Sequence, residues 1–261
     1  MSLLFGGVLV ALGVVGAFVS GLIGVGGAIV MLPLLLYGPP LLGFDAFDVK
    51  MVAGVSMVQV FVAAVSGMIA HGRHRAVNWR LARVGGAAMA AGSLIGAVAS
   101  KDVPDSLLLI AFAVMVAIAF GLMFLPEPPL DLGVPAEDKE YSASLTAVIT
   151  GGVGVAAGFV GAGGAWLLMP LLLVVVGVPM RVTIGSSLAI TAAAATAGVV
   201  GKLATYQVPL VPALLVALGA LPGAQLGALA SRRLSGVALK RILLAVIVLT
   251  GARVWWDVLF D

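Results

Sequence analysis

The chain contains no cysteine and very little charge. Only 10% of its 261 residues are Asp, Glu, Lys or Arg, whereas 62% are hydrophobic, and the mean hydropathy is +1.23. Without cysteine the protein has neither disulfides nor thiolate metal sites. A soluble domain needs about a quarter of its residues charged to cover its surface, so water is not the main solvent of this chain.

Acidic residues are absent from the long apolar runs. All 11 lie in loops or near the termini, whereas proton relays and sodium sites in transporters usually use intramembrane Asp or Glu. We therefore expect no carboxylate-based coupling site, no cofactor and no metal cluster. No basic run is interleaved with aromatic residues, so a nucleic-acid partner is not expected either.

Apolar runs of about 17–20 residues recur along the chain, and this length crosses the hydrocarbon core of a bilayer. The first run has no basic segment before it and has a counterpart later in the chain. We interpret it as a structural helix rather than a cleaved signal peptide. The pattern predicts an all-α, polytopic membrane protein.

A repeat divides the chain into two halves. Residues 21–36 recur as residues 158–173 at an offset of 137, and every glycine and the proline are identical. Farther along each half the offset becomes 131. We predict one membrane domain made of repeat 1 (residues 1–125), a polar linker (126–142) and repeat 2 (143–261).

Each half contains five apolar segments, which we name A to E. In the first and second halves they are A (3–20 and 143–160), B (25–38 and 162–178), C (50–70 and 181–201), D (80–100 and 209–231) and E (107–125 and 238–256). Segments C, D and E are long enough to cross. Segments A and B are predicted to be short and to form a hairpin at the glycines, with B broken by Pro33 or Pro170.

The basic loops change position between the halves. Arginines concentrate in the C–D connection of the first half (71–83) and in the D–E connection of the second (231–241), while their counterparts (202–208 and 101–106) are nearly free of them. If basic loops are cytoplasmic, the two repeats have inverted topology. Both termini then lie on the outer side of the inner membrane. Parallel repeats are the alternative.

The glycine-rich segment 21–27 followed by Pro33, with its copy at 158–164 followed by Pro170, resembles the TauE/SafE family of bacterial anion transporters. The resemblance extends over nearly the whole chain, because both halves and their spacing fit. It implies a membrane transporter, and specifically an exporter, of small anions such as sulfite, sulfonates or other organosulfur or carboxylate ions. It does not identify the substrate.

The two glycine-rich breaks are the predicted binding site. A helix that starts inside the membrane presents free N–H groups and the positive end of its dipole, and two such ends near the midplane are typical of inverted-repeat transporters. The candidates are Gly24, Gly26, Gly27, Gly161, Gly163 and Gly164. The alternative is that these glycines only permit close helix packing.

Neutral polar side chains and matched basic residues complete the predicted pathway. Hydroxyls and amides could bind an oxyanion without a fixed charge that would trap it; the alternative is bonding within their own helices. The polar candidates are Ser56, Gln59, Thr183, Ser186, Ser187, Thr191 and Gln225. The basic candidates at the mouths are Lys50 with Arg181 and His71 with Lys202, for which interfacial snorkelling is the alternative.

Two other classes of function stay open. An intramembrane serine hydrolase would need a histidine beside Ser56, Ser186 or Ser187, but His71 and His74 stand in the basic loop at the membrane edge. A scaffold subunit that transports nothing would leave the matched glycine breaks unexplained. The expected partners are the lipid bilayer and a small anion, and a homodimer is left open.

Overall fold

The protein is all-helical over residues 3–24, 26–72, 77–125 and 141–260, which are the residues described by the computed structural model. Its helices are α1 (Leu3–Ile23), α2 (Ala28–Leu41), α3 (Val49–Gly72), α4 (Trp79–Ala99), α5 (Asp105–Leu122), α6 (Ala143–Val160), α7 (Ala165–Leu171), α8 (Met180–Ala204), α9 (Leu210–Ser231) and α10 (Gly236–Phe260). A 3-10 turn (Ser100–Asp102) follows α4, and a π turn (Leu172–Val176) continues α7. These helices match segments A to E of each half in order. The predicted linker falls almost entirely outside the described residues.

Seven helices are long and apolar enough to cross a membrane in the described ranges: α1, α3, α4, α5, α6, α8 and α9. Helix α10 has 25 residues, enough for roughly 37 Å of rise, with its charged residues toward its two ends. Helices α2 and α7 are shorter. The prediction of an all-α, polytopic membrane protein is confirmed.

The expected shortness of the two A segments is wrong. Helix α1 has 21 residues and α6 has 18, and both are long enough to cross. Helix α1 continues through its internal glycines because these positions pack tightly against another helix; for example, a Cβ atom on Gly21 would lie 2.0 Å from Ala224 O. The helix ends only at Gly24, whose φ of 75° is left-handed.

The two B segments differ at their prolines. Helix α2 continues through Pro33, so the predicted break is wrong there. The proline has no N–H for the carbonyl of Ile29, but the hydroxyl of Thr250 on α10 donates to that carbonyl at 3.1 Å. In the second half α7 becomes a π turn soon after Pro170 and ends at Gly177. A hydroxyl from another helix thus keeps α2 intact.

The first helix of each half packs against a helix of the other half. Helix α1 lies on α9 of the second half, and α6 lies on α4 of the first half, so closely that the backbones touch. Cβ atoms on Gly219 and Gly227 would lie 2.0 Å from the carbonyl oxygens of Val10 and Phe18. Small residues on both surfaces permit this approach, as is usual between membrane helices. The two halves are therefore in close contact through these four helices.

Helices α3 and α8, which are equivalent in the two repeats, run antiparallel at the centre. A Cβ atom on Gly67 would lie 3.1 Å from Leu188 Cδ1, and one on Gly198 would lie 2.6 Å from Met57 Cε. A late residue of each helix thus meets an early residue of the other. Equivalent helices that point in opposite directions are what inverted repeats require. Their orientation in the cell stays a prediction.

The interhelical contacts predict which glycines are needed for stability. Gly223→Ala on α9 would place Cβ 2.4 Å from Val14 O, and Gly92→Ala on α4 would place it 2.4 Å from Gly151 O. Each variant should lose about 1–3 kcal/mol of stability through overpacking. The matched control is Gly152→Ala, whose Cβ meets nothing within 4 Å and should stabilise α6 by about 0.5–1 kcal/mol. Melting temperatures in detergent check both directions. Equal melting temperatures for all three variants would contradict this packing.

Candidate functional site: the two glycine breaks

The two glycine breaks have the same backbone conformation. Gly24, Gly26 and Gly27 have φ between 72° and 78°, and their counterparts Gly161, Gly163 and Gly164 have φ between 61° and 77°. L-residues with a side chain rarely adopt this left-handed region. Gly27 and Gly164 then stand directly before α2 and α7 without a side-chain cap. Each break therefore begins a new helix inside the protein, where the first N–H groups have no partner within that helix.

Both breaks reach the same point, at the middle of α3 and α8. A Cβ atom on Gly26 would lie 3.4 Å from Val60 Cγ1, 3.4 Å from Thr191 Cγ2 and 3.3 Å from Ala165 Cβ, while one on Gly163 would lie 2.3 Å from Val60 Cγ1. Val60 and Thr191 are equivalent in the two repeats and lie near the midpoints of their helices. Of the six predicted glycines, the fold thus brings Gly26 and Gly163 together, while the other four contact different residues.

The amide of Gln59 lies against the first break. Its Nε2 atom is 2.8 Å from the position of a Cβ on Gly27 and 3.6 Å from that of a Cβ on Gly16. The side chain is fully buried, and neither Nε2 nor Oε1 has a hydrogen-bond partner among the described residues. A primary amide in a protein interior normally bonds through both ends. Gln59 therefore holds a free donor and a free acceptor at this junction.

Several other buried polar atoms on the surrounding helices also have no partner. Of the predicted residues, Ser56 and Thr191 belong to this set, and Ser56 lies one helical turn before Gln59 and Val60. Three more were not expected from the sequence: Ser20 on α1, Ser93 on α4 and Trp166 in the first turn of α7. Each unsatisfied group costs about 1–3 kcal/mol, so such a concentration of them indicates a function other than stability.

The other predicted hydroxyls on α8 are already bonded within the protein. Ser187 Oγ lies 3.0 Å from the carbonyls of Gly24 and Ile184, so it connects α8 to the first break. Ser186 Oγ accepts a bond from Asn78 N at 2.9 Å, and Thr183 Oγ1 donates to Val178 O at 3.0 Å. These three residues support the backbone around the site rather than present free groups to it.

Gln225 does not join the site. It lies on the exposed face of α9, since its neighbours Gly223, Ala224, Gly227 and Ala228 form the buried face. The sequence repeat predicts that Gln225 lies on a crossing helix, because it falls in segment D of the second half. The repeat does not predict which face of that helix the residue occupies. Its amide points away from the glycine breaks.

The described basic residues have different environments. Lys50 is partly exposed at the start of α3 and donates to Lys101 O at 3.0 Å. Lys202, expected at a mouth, is fully buried and donates to Ser100 Oγ at 2.6 Å and Gln207 Oε1 at 2.8 Å. Snorkelling to the interface is therefore wrong for Lys202. The side chains of His71 and Arg181 lie outside the described part of the structure.

The side chains that line the junction in the described residues are neutral. The junction combines two helix starts, which carry partial positive charge, with the polar side chains of Gln59 and Thr191. No group of three or more His, Asp or Glu that could hold a metal ion occurs in the described residues. The arrangement can thus orient an oxyanion by hydrogen bonds but offers no base beside a hydroxyl nucleophile.

Comparisons with known proteins identify the family of the chain. The profile of the sulfite exporter TauE/SafE family matches residues 9–254. The chain belongs to this family. It is similar to the "Probable membrane transporter protein YunE" of Bacillus subtilis (strain 168), with 26% identity over 97% of this chain and 98% of the relative. It is also similar to a "Probable membrane transporter protein" of Xylella fastidiosa (strain Temecula1), with 30% identity over 94% and 92% of the two chains.

No solved structure matches the chain. Family membership confirms the resemblance seen in the glycine segments. As a member of the TauE/SafE family the protein is a multi-pass membrane transporter. The family match covers both repeats and therefore both glycine breaks.

The unpartnered hydroxyl of Thr191 predicts an unusual effect on stability. Thr191→Val removes a buried group without a partner, so the melting temperature should stay the same or rise, corresponding to a gain of up to about 1–3 kcal/mol. The matched control is Thr250→Val, which leaves the Ile29 carbonyl unpaired and should cost a similar amount. Thermal unfolding of both variants checks this contrast. A loss of stability in Thr191→Val equal to that in Thr250→Val would mean that the Thr191 hydroxyl is structural.

Proposed function

We propose that the protein exports small oxyanions, namely sulfite, sulfonates or related organosulfur or carboxylate ions, and binds them where the two glycine breaks meet. The name of the family points to sulfite as the first substrate to test. The observation that supports this site best is the pair of buried polar side chains at the first break, Gln59 and Thr191, which have no hydrogen-bond partner among the described residues. They supply donors there, and Ser56 and Trp166 carry further unpartnered groups on neighbouring helical turns.

The chemistry of these groups favours an anion over a cation. Helix starts and N–H donors stabilise negative charge, and the described spanning helices carry Asp only at their ends. A sodium or proton site would be expected to use an intramembrane carboxylate. An oxyanion can accept several hydrogen bonds at once from donors arranged around it, and this fits a junction built from two repeats.

Neutral donors also suit release. A fixed lysine or arginine at the junction would pair strongly with the anion in this low-dielectric interior, whereas hydrogen bonds from amide, hydroxyl and indole groups hold it less tightly. The membrane potential then drives exit, since it contributes about 2.3 kcal/mol per charge per 100 mV. For a divalent oxyanion the contribution is twice as large, so export needs no coupling ion.

The proposed orientation is that of inverted repeats in the inner membrane, with both termini outside. The basic loops 71–83 and 231–241 would be cytoplasmic, whereas 101–106 and 202–208 would face outward. The antiparallel arrangement of α3 and α8 supports this, because each repeat then contributes one break from the opposite side of the membrane.

An enzymatic function has little support. Ser186 and Ser187 are engaged with backbone groups, and Ser56 is buried where no histidine is found among the described residues. A scaffold without transport would not account for unpartnered polar atoms that lower stability. The homodimer stays a prediction.

The proposal predicts electrogenic anion flux. Proteoliposomes loaded with sulfite should release it faster when a potassium-diffusion potential makes the interior negative, and more slowly when the potential is reversed. Gly26→Ala should weaken sulfite binding about tenfold or more. A side chain disfavours the φ of 72° at this position, and the loss of one charge-assisted hydrogen bond to the anion costs about 1.5–3 kcal/mol. Sulfite efflux and affinity by thermal shift are the measurements.

The control for this experiment is the orientation of the reconstituted protein. Tyr206 is 95% exposed in the connection before α9, so Tyr206→Cys reports orientation by reaction with an impermeant thiol reagent in this otherwise cysteine-free chain. Flux that ignores voltage and follows only a pH gradient would contradict the proposal. Normal sulfite affinity in Gly26→Ala would show that the glycine turn is a packing feature.

A further inference from the structure

Lys202 is a charged residue buried in the membrane domain. Its side chain is 0% exposed, although it lies in the last turn of α8, close enough to the membrane surface to snorkel. The next residue, Leu203, is 42% exposed, so the fold directs the lysine inward and the leucine outward. Burying an ammonium group is costly unless another charge compensates it.

The partners of Lys202 are all neutral. The ammonium donates to Ser100 Oγ at 2.6 Å, to Gln207 Oε1 at 2.8 Å and more weakly to Phe159 O at 3.5 Å. Ser100 is fully buried and Gln207 is 8% exposed. No carboxylate forms an ion pair with Lys202 in the described residues, whereas Arg253 does pair with Asp257.

Two of the carboxylates at the same end of the bundle cap a helix. Asp48 accepts hydrogen bonds from the backbone N–H groups of Lys50 and Met51, and Asp105 accepts one from Val49. They thus cap the start of α3. Lys50, which also lies at this end, adds a second positive charge that acts on Lys202. This end of the bundle carries four carboxylates, Asp45, Asp48, Asp102 and Asp105, against Lys50, Lys101 and Lys202. In the described residues none of these carboxylates forms an ion pair with the fully buried ammonium of Lys202.

This cluster lies beside the second glycine break. Phe159, whose carbonyl faces Lys202, is in the last turn of α6, directly before the break begins at Gly161. A Cβ atom on Gly161 would in turn lie 2.4 Å from Ala53 O, one turn into α3 from Lys50. Thr191 at the junction is eleven residues before Lys202 on α8, or roughly 16 Å along the helix.

We infer that Lys202, with Ser100 and Gln207, forms a second binding site for the same class of oxyanion, at the end of the bundle formed by the 202–208 connection. An arriving anion replaces the neutral acceptors as the partner of the ammonium. The inference rests on the proposed function for the identity of the ligand, but the site itself is distinct from the junction. It supplies the fixed charge that the junction lacks, and its neutral partners hold the ammonium when no anion is present.

The test is the number of sulfite ions bound per chain, measured by calorimetric titration of the purified full-length protein at constant ionic strength with gluconate as the background anion. Wild type should bind two ions. Lys202→Met should bind one ion, with the affinity of the altered site weakened at least tenfold. Its melting temperature should stay close to that of the wild type, because Ser100 Oγ still bonds Ala97 O and Gln207 Oε1 without the lysine. Lys202→Gln, which can still bond Ser100 and Gln207, should also bind one.

Two controls make the result decisive. Lys101→Met removes the same charge from an exposed position at the same end and should still bind two ions. Gly26→Val alters the junction and should leave binding at the Lys202 site unchanged. If Lys202→Met loses one ion and Gly26→Val loses none, the anion site at the junction is refuted and the Lys202 site is supported. The inference is overturned if Lys202→Met and Lys202→Gln bind as many ions as wild type, or if wild type binds only one ion and Gly26→Val abolishes it.

Discussion

Inside hydrocarbon, every backbone N–H and C=O group must find a partner in the protein, so a helix can begin or end at mid-membrane only where other helices cover it. In this transporter helices α2 and α7 begin inside the protein, directly after left-handed glycines. The middles of α3 and α8 cover these turns. The rest of the structure follows from this constraint. The central helices must be buried, and outer helices must enclose them closely enough to exclude lipid.

Small residues make that enclosure possible. Helix α1 of the first half packs its glycines against α9 of the second, and α6 of the second half packs its glycines against α4 of the first. Each half thus encloses part of the other. Side-chain hydroxyl groups donate hydrogen bonds to backbone carbonyls where the chain departs from a regular helix. Thr250 satisfies the carbonyl freed by Pro33, and Ser187 bonds to Gly24. Because these backbone groups have hydrogen-bond partners, the unpartnered side-chain atoms of Gln59 and Thr191 at the junction are exceptions, and ligand binding would explain them.

Much of this architecture could be predicted from the sequence. Apolar runs locate the crossing helices, and the repeat locates both breaks, because only glycine serves the left-handed turns. Features that depend on which way a helix faces could not be predicted. Gln225 is on a crossing helix but faces outward, and Lys202 ends a helix yet turns inward. The continuation of α2 through Pro33 depends on a hydroxyl more than 200 residues away. Trp166 could have been suspected, since an indole N–H stands in the turn after the second break.

The central claim is that the two breaks, one from each repeat, form a single anion site. Selenite is a heavier analogue of sulfite, and its selenium can be located by anomalous scattering in crystals of the protein grown with it. A selenium peak between Gly26 and Gly163, within hydrogen-bonding distance of Gln59 and Thr191, is the predicted result. Selenite bound only elsewhere, with no peak at this junction, would contradict the claim and reduce the glycine breaks to elements of helix packing.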